Sequence, residues 1–109
     1  MYHMEEHDVF PSDVNPQDVL DTYIQCCAIE VNARRAAAMA ATLAAGGRCP
    51  VTDEQCLMPA TVKSALTLML SCGMYDFSGQ WTVYVGLPAK SGVAGLVYCV
   101  IPNVAGIAV

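Results

Sequence analysis

From Ser91 to Val109 the chain carries no charged side chain, and no other feature limits its folding more. A run of that length approaches the ~20 apolar residues of a membrane-spanning helix. Its punctuation points elsewhere. Gly92, Gly95, Pro102, Asn103 and Gly106 interrupt it, while Val93, Val97, Val100, Ile101, Val104, Ile107 and Val109 favour strand. Pro102-Asn103 is turn chemistry between two apolar segments. The stretch therefore reads as two buried strands joined at Pro102-Asn103. Its last residues, Ile107-Ala108-Val109, keep strand character to the final position, as expected of a chain cut within an element.

Upstream, the periodicity is helical. Met1 to Phe10 reads as the end of a helix, and Phe10-Pro11-Ser12-Asp13 as a loop. Asn15, Pro16 and Asp18 form a helix start: a capping acceptor, a proline in the first turn and an acid at the positive end of the dipole. Val19, Leu20, Tyr23, Ile24 and Cys27 then share one face. Asn32 caps a second, alanine-rich helix running to Ala45 and closed by Gly46-Gly47; so many small side chains predict close packing on more than one side. A third helix is predicted from Pro59 to Cys72, with Val62, Leu66, Met69 and Leu70 inward and Gly73 as its stop. After Gly79, Trp81, Val83 and Val85 alternate with Thr82 and Tyr84, which predicts a strand. Leu87-Pro88-Ala89 turns the chain into the apolar pair. Helices followed by antiparallel strands make the fold class α+β.

Composition limits the function. Of 109 residues, 55% are hydrophobic and 14% charged, against about 25% charged in an ordinary soluble domain. A single domain of this size needs more polar cover than that, so part of its surface is expected to meet further protein. A net charge of −5 excludes a nucleic-acid grip built on clustered Lys and Arg, and the apolar content excludes disorder. Six cysteines are present, none in C-x-x-C spacing. Cys26, Cys27, Cys72 and Cys99 lie in apolar stretches and read as reduced, mostly buried thiols of an intracellular compartment, with Cys26, Cys27 and Cys99 as core residues. Met1 to Glu6 shows neither the basic nor the apolar region of a signal peptide.

Two motifs carry possible chemistry. His3-Met4-Glu5-Glu6-His7 spells H-x-x-E-H, which on a helix sets two imidazoles on one face beside a carboxylate. With no further ligand identifiable, it reads as a polar, solvated helix end, and no metal is expected. Lys90-Ser91-Gly92 is a Lys-Ser/Thr-Gly triplet opening the strand pair, the pattern that serine β-lactamases and penicillin-binding proteins place beside their nucleophile. Lys90 can supply positive charge there, Gly92 lets substrate approach the backbone, and the Val93 N–H can point at a developing oxyanion. Taken alone, Tyr75 reads as a packed loop tyrosine, Tyr23 as part of an apolar helix face, and Lys90 as a solvated surface lysine.

Together the blocks "VLDTYIQCCAIEV", "AAAMAATLAAGGRCPVT", "CGMYDFSGQW", "VGLPAKSGVAG" and "VIPNVAGIAV" resemble the serine-dependent glutaminase family, particularly the animal kidney- and liver-type enzymes. The likeness runs from about Phe10 to Val109. It implies that residues 1–109 are the C-terminal part of one catalytic domain, truncated at both ends, with a β-lactamase/transpeptidase-like fold. It further implies hydrolysis of L-glutamine to L-glutamate and ammonia through a serine acyl-enzyme. By the same resemblance Tyr75 relays the serine's proton, and Lys90 and Ser91 shape the site. Tyr23 contacts glutamine, and the Val93 N–H completes the oxyanion hole. No cofactor is implied. Phosphate activation, a homotetramer and a mitochondrial location follow from the resemblance alone, and neither nucleic acid nor membrane is an expected partner.

The departures matter too. The family's nucleophile and base sit in an S-x-x-K motif, and none occurs here: Ala60 stands three before Lys63 and Leu87 three before Lys90. Leu96 replaces a common glycine beside the oxyanion valine, and Arg34 and Arg35 are unusual at a helix start. The alternative is a catalytically inactive fragment that acts only as a docking or interaction module.

Overall fold

The computed structural model describes residues 1–109. Its elements are α1 (Tyr2–Glu5), α2 (Pro16–Cys27), α3 (Ala33–Ala44), α4 (Pro59–Cys72), a 3₁₀ turn (Tyr75–Phe77), α5 (Ser78–Tyr84), β1 (Ala89–Ser91), β2 (Val97–Ile101) and β3 (Ala105–Ala108). They fall into two compact units, Met1–Glu30 and Val31–Val109. No helix is long and apolar enough to cross a membrane.

In the first unit α2 starts as its sequence dictates. The Asn15 side chain accepts the Gln17 N–H at 3.0 Å, and Pro16 opens the helix. The apolar face expected to be core is present but not covered: α2 has no buried residue, and Val19, Tyr23 and Ile24 are exposed. Cys26 and Cys27 are exposed as well, which corrects their assignment as core thiols. A helix can show an apolar stripe only where its sequence puts one; what covers the stripe must come from elsewhere.

The second unit is built on α3. Asn32 Oδ1 accepts the Arg35 N–H at 2.9 Å, and Ala36, Ala40 and Ala44, four residues apart, form a buried stripe. Strands β1, β2 and β3 make an antiparallel sheet in that order, with Ala89 opposite Cys99, Lys90 opposite Tyr98, and Val100 opposite Gly106. Val100 is fully buried and clusters with Ala40 and Ala44, joined by Leu43, Leu66, Met69 and Tyr98. Burial of such a valine stabilises by about 1.5–3 kcal/mol. Gly106 sits where any Cβ would run into the backbone of Ala40 and Ala41, so the α3 stripe and this glycine let helix and strand approach. The Asn103 N–H donates to the Ala44 carbonyl at 2.8 Å, tying the Pro102-Asn103 turn to the end of α3.

Three expectations need correction here. The strand pair and its turn are where the sequence places them, but the face opposite Val100 is covered only in part: Ala89 is fully buried there, whereas Ile107 is half-exposed. The alternating segment after Gly79 is helix α5 rather than strand. Five alternating residues fit a short helix equally well, and tertiary partners decide: Thr82 Oγ1 donates to the Leu70 carbonyl of α4 at 2.8 Å, and Trp81 Nε1 to the Leu87 carbonyl at 2.8 Å. Finally, all six cysteines are free but four of them are exposed, Cys72 and Cys56 included; only Cys49 and Cys99 are partly buried.

Candidate active site

Tyr75 begins the 3₁₀ turn after α4 with φ +53°. A bulky residue in the left-handed region costs of order 1–3 kcal/mol, a strain that persists only where surroundings enforce it. Here they do. Ser78, buried, accepts the Met74 N–H at 2.9 Å and donates to the Tyr75 carbonyl at 2.6 Å. The segment before the turn is pinned to the sheet: the Ser91 N–H donates to the Gly73 carbonyl at 3.0 Å. Gly73 has no room for a side chain, because a Cβ there would strike the carbonyls of Ala89 and Met69.

The sheet then delivers Lys90. Its ammonium lies over the Tyr75 ring, 4.5 Å from the centroid, and donates to the Ser91 carbonyl. A cation over an exposed ring contributes about 0.5–1 kcal/mol. Tyr75 as a whole is 58% exposed, and its hydroxyl is a donor and acceptor in one atom. The hydroxyl can give or take a proton, and the ammonium can hold an anion.

Structure thus brings Tyr75, Lys90 and Ser91 together. Lys90 and Ser91 end β1, whereas the triplet was expected to open the strand pair; Gly92 already belongs to the following turn, and β2 starts at Val97. Val93 sits in that turn, 94% exposed. The turn is closed by the Gly92 N–H to the Leu96 carbonyl at 2.8 Å and the Gly95 N–H to the Gly92 carbonyl at 3.0 Å, with Gly95 at φ +96°. Leu96 takes part through its carbonyl. Tyr23 belongs to the N-terminal unit, where it is 65% exposed and lines an apolar hollow of about 310 Å³ with Met4, Phe10, Pro16 and Val19.

From sequence, Tyr75 stands in a loop-like segment flanked by glycine and serine, but Ser78 receives no role there and Gly73 only that of a helix stop. A serine three residues after a loop tyrosine was the available signal, since serine hydroxyls commonly bind backbone groups three or four residues away.

Other titratable groups lie apart from this constellation. The Cys49 thiol is lowered to about 7 by hydrogen bonds from the Thr52 side chain and from the Thr52 and Val51 backbone. Burial pushes the Cys99 thiol up. His3, Glu6 and His7 place their ligand atoms within 4.8 Å of one another, and His7 Nδ1 lies 2.8 Å from the His3 carbonyl. All three are exposed.

Against this geometry stand the comparisons with known proteins. The Glutaminase family model matches residues 1–109. The chain belongs to the glutaminase family. It is 50% identical over 105 residues to the mitochondrial liver isoform of glutaminase from Rattus norvegicus, covering 96% of this chain and 17% of that protein. It is also 50% identical over 97 residues to a glutaminase of Nostoc sp., covering 89% of this chain and 29% of the relative. The chain therefore spans less than a third of the length of either relative. Among solved structures it resembles a Bacillus subtilis glutaminase in covalent complex with 5-oxo-L-norleucine, formed by reaction with 6-diazo-5-oxo-L-norleucine. There the TM-score is 0.88 and the identity 33%, over 98% of this chain and 38% of that one. The α+β arrangement, helices followed by an antiparallel sheet, is thus part of the β-lactamase/transpeptidase-like fold.

Proposed function

We propose that residues 1–109 are the C-terminal part of a glutaminase catalytic domain, and that the whole protein hydrolyses L-glutamine to L-glutamate and ammonia. In this reading a serine of an S-x-x-K motif, with its lysine as base, comes from chain outside these residues and attacks the side-chain amide carbonyl. Tyr75 relays the serine's proton toward the leaving ammonia, Lys90 and Ser91 set the local charge and backbone, the Val93 N–H donates to the oxyanion, and Tyr23 contacts glutamine. Water then cleaves the acyl-serine, releasing glutamate.

The observation that carries it is the pairing of Tyr75, held at φ +53°, with the Lys90 ammonium 4.5 Å from its ring centroid. The acyl-enzyme step is supported by the B. subtilis relative's covalent complex, because 5-oxo-L-norleucine carries a ketone where glutamine carries its amide. No cofactor enters this chemistry. Phosphate activation and a homotetramer belong to the same proposal, as does a mitochondrial place, which the name of the rat relative supports.

A chimera tests it: residues 1–109 in place of the matching segment of the Nostoc glutaminase. The chimera is expected to release ammonia from glutamine, the 109-residue chain alone is not, and Tyr75→Phe in the chimera should lower kcat by about 10²–10⁴-fold. Near-normal turnover with Tyr75→Phe would remove Tyr75 from the mechanism. The exposed apolar face of α2 favours a second reading, a docking module without activity; that reading predicts a folded but inactive chimera.

A further inference from the structure

We infer that Ser78 is a positioning residue of the glutaminase site, acting through Tyr75 by locking the tyrosine's backbone in the left-handed conformation that presents its phenol beside Lys90. This rests on the role proposed for Tyr75. The side chain of Ser78 is almost completely buried and fully used. Its single hydroxyl hydrogen goes to the Tyr75 carbonyl at 2.6 Å, and its oxygen takes the Met74 N–H at 2.9 Å. These two backbone groups flank Tyr75, so one hydroxyl fixes the torsions on both sides of it.

Backbone bonds help shape the turn, with the Phe77 N–H donating to the Met74 carbonyl at 3.1 Å and the Ser91 N–H to the Gly73 carbonyl, but the Ser78 hydroxyl is the side-chain group that ties the Met74 N–H to the Tyr75 carbonyl. Tyr75 is not a glycine, and its side chain is more exposed than buried. The one ring contact, with Lys90, follows from the backbone setting. Once the Ser78 hydroxyl is lost, the Met74 N–H loses its partner and only backbone bonds hold the turn, so Tyr75 can relax toward ordinary negative φ, which swings the Cα–Cβ bond and carries the phenol away from the ammonium. A displacement of about 1 Å at a reacting group is enough to cost on the order of 10²-fold in rate.

The test measures kcat, KM and melting temperature in the active chimera carrying Ser78→Ala, Ser78→Thr, Tyr75→Phe and the double variant Ser78→Ala/Tyr75→Phe. Ser78→Ala should lower kcat by about 10–10²-fold with KM unmoved and cooperative melting retained. Ser78→Thr, which keeps the hydroxyl, should recover most of that loss. In the Tyr75→Phe background Ser78→Ala should cost nothing more, because the group it positions is already gone. Full turnover in Ser78→Ala, an equal kcat loss whether residue 75 is Tyr or Phe, or loss of the fold in Ser78→Ala would each overturn the inference. If Tyr75→Phe keeps normal turnover, the failure belongs to the proposed mechanism; if Tyr75→Phe is impaired and Ser78→Ala is not, it belongs to Ser78.

Discussion

Two turns of the C-terminal unit carry proposed site atoms, and they are held in opposite ways. The Tyr75 turn is over-determined. A buried serine brackets it, Gly73 lies hard against Ala89, and the Ser91 N–H closes onto the Gly73 carbonyl. The Val93 turn has two backbone hydrogen bonds and a positive-φ glycine, and its valine projects into solvent. The contrast teaches where preorganisation resides. A side chain that must present a hydroxyl at a defined point needs rotamer and backbone support from packed neighbours. A backbone N–H needs only the turn that aims it, with whatever further protein meets the valine.

The largest effect is expected where the first turn meets the sheet. Gly73→Ala puts a methyl group into the Ala89 carbonyl, backbone against backbone, so neither side can yield by rotating a side chain. Urea unfolding should show a loss of about 3 kcal/mol or more, at the upper end of overpacking costs. A Gly73→Ala protein as stable as the parent would mean that the Tyr75 turn is not clamped to β1, and the contrast between the turns would collapse.

Amide hydrogen exchange gives a smaller, direct measure of the same contrast. The Met74 and Ser91 amides donate to Ser78 Oγ and to the Gly73 carbonyl. They should exchange at least about tenfold more slowly than the Val93 amide, since protection follows the cost of local opening. Equal rates at the three positions would place both turns in one stability class.

The contrast also explains what could be read from the sequence. Helix starts were legible at Asn15, Asn32 and Pro59 because capping is local chemistry; the Pro102-Asn103 turn and the charge-free strands around it were legible for the same reason. Trp81 to Val85 misled, because a brief alternation does not reveal that Thr82 will bond to Leu70 in another helix. The thiols misled in the same direction. Apolar neighbours in sequence do not cover Cys26 and Cys27 unless something packs on that face. In the site, resemblance marked Tyr75, Lys90 and Ser91 and the structure gathers them. The clamp residues Ser78 and Gly73 stayed hidden, since their roles are distances to backbone atoms and not residue types in a motif.

The smallest effect is expected at Val93, and its smallness is the point. If residue 93 serves by its N–H, the side chain is dispensable to the chemistry, and at 94% exposure it stabilises nothing within these residues. Alanine keeps the same N–H and suits the same negative-φ backbone, so Val93→Ala in the active chimera should leave kcat and KM within about twofold, far below the 10²–10³-fold loss that follows removal of an oxyanion donor. A moderate rise in KM with kcat unchanged would say that the valine methyls touch glutamine or a covering segment, which sharpens the contrast by giving the open turn a binding role. A kcat loss comparable to that of Tyr75→Phe, in a protein that still melts normally, would break it: the exposed turn would then depend on its side chain as the buried one does, and the Val93 N–H would lose its place as the oxyanion donor.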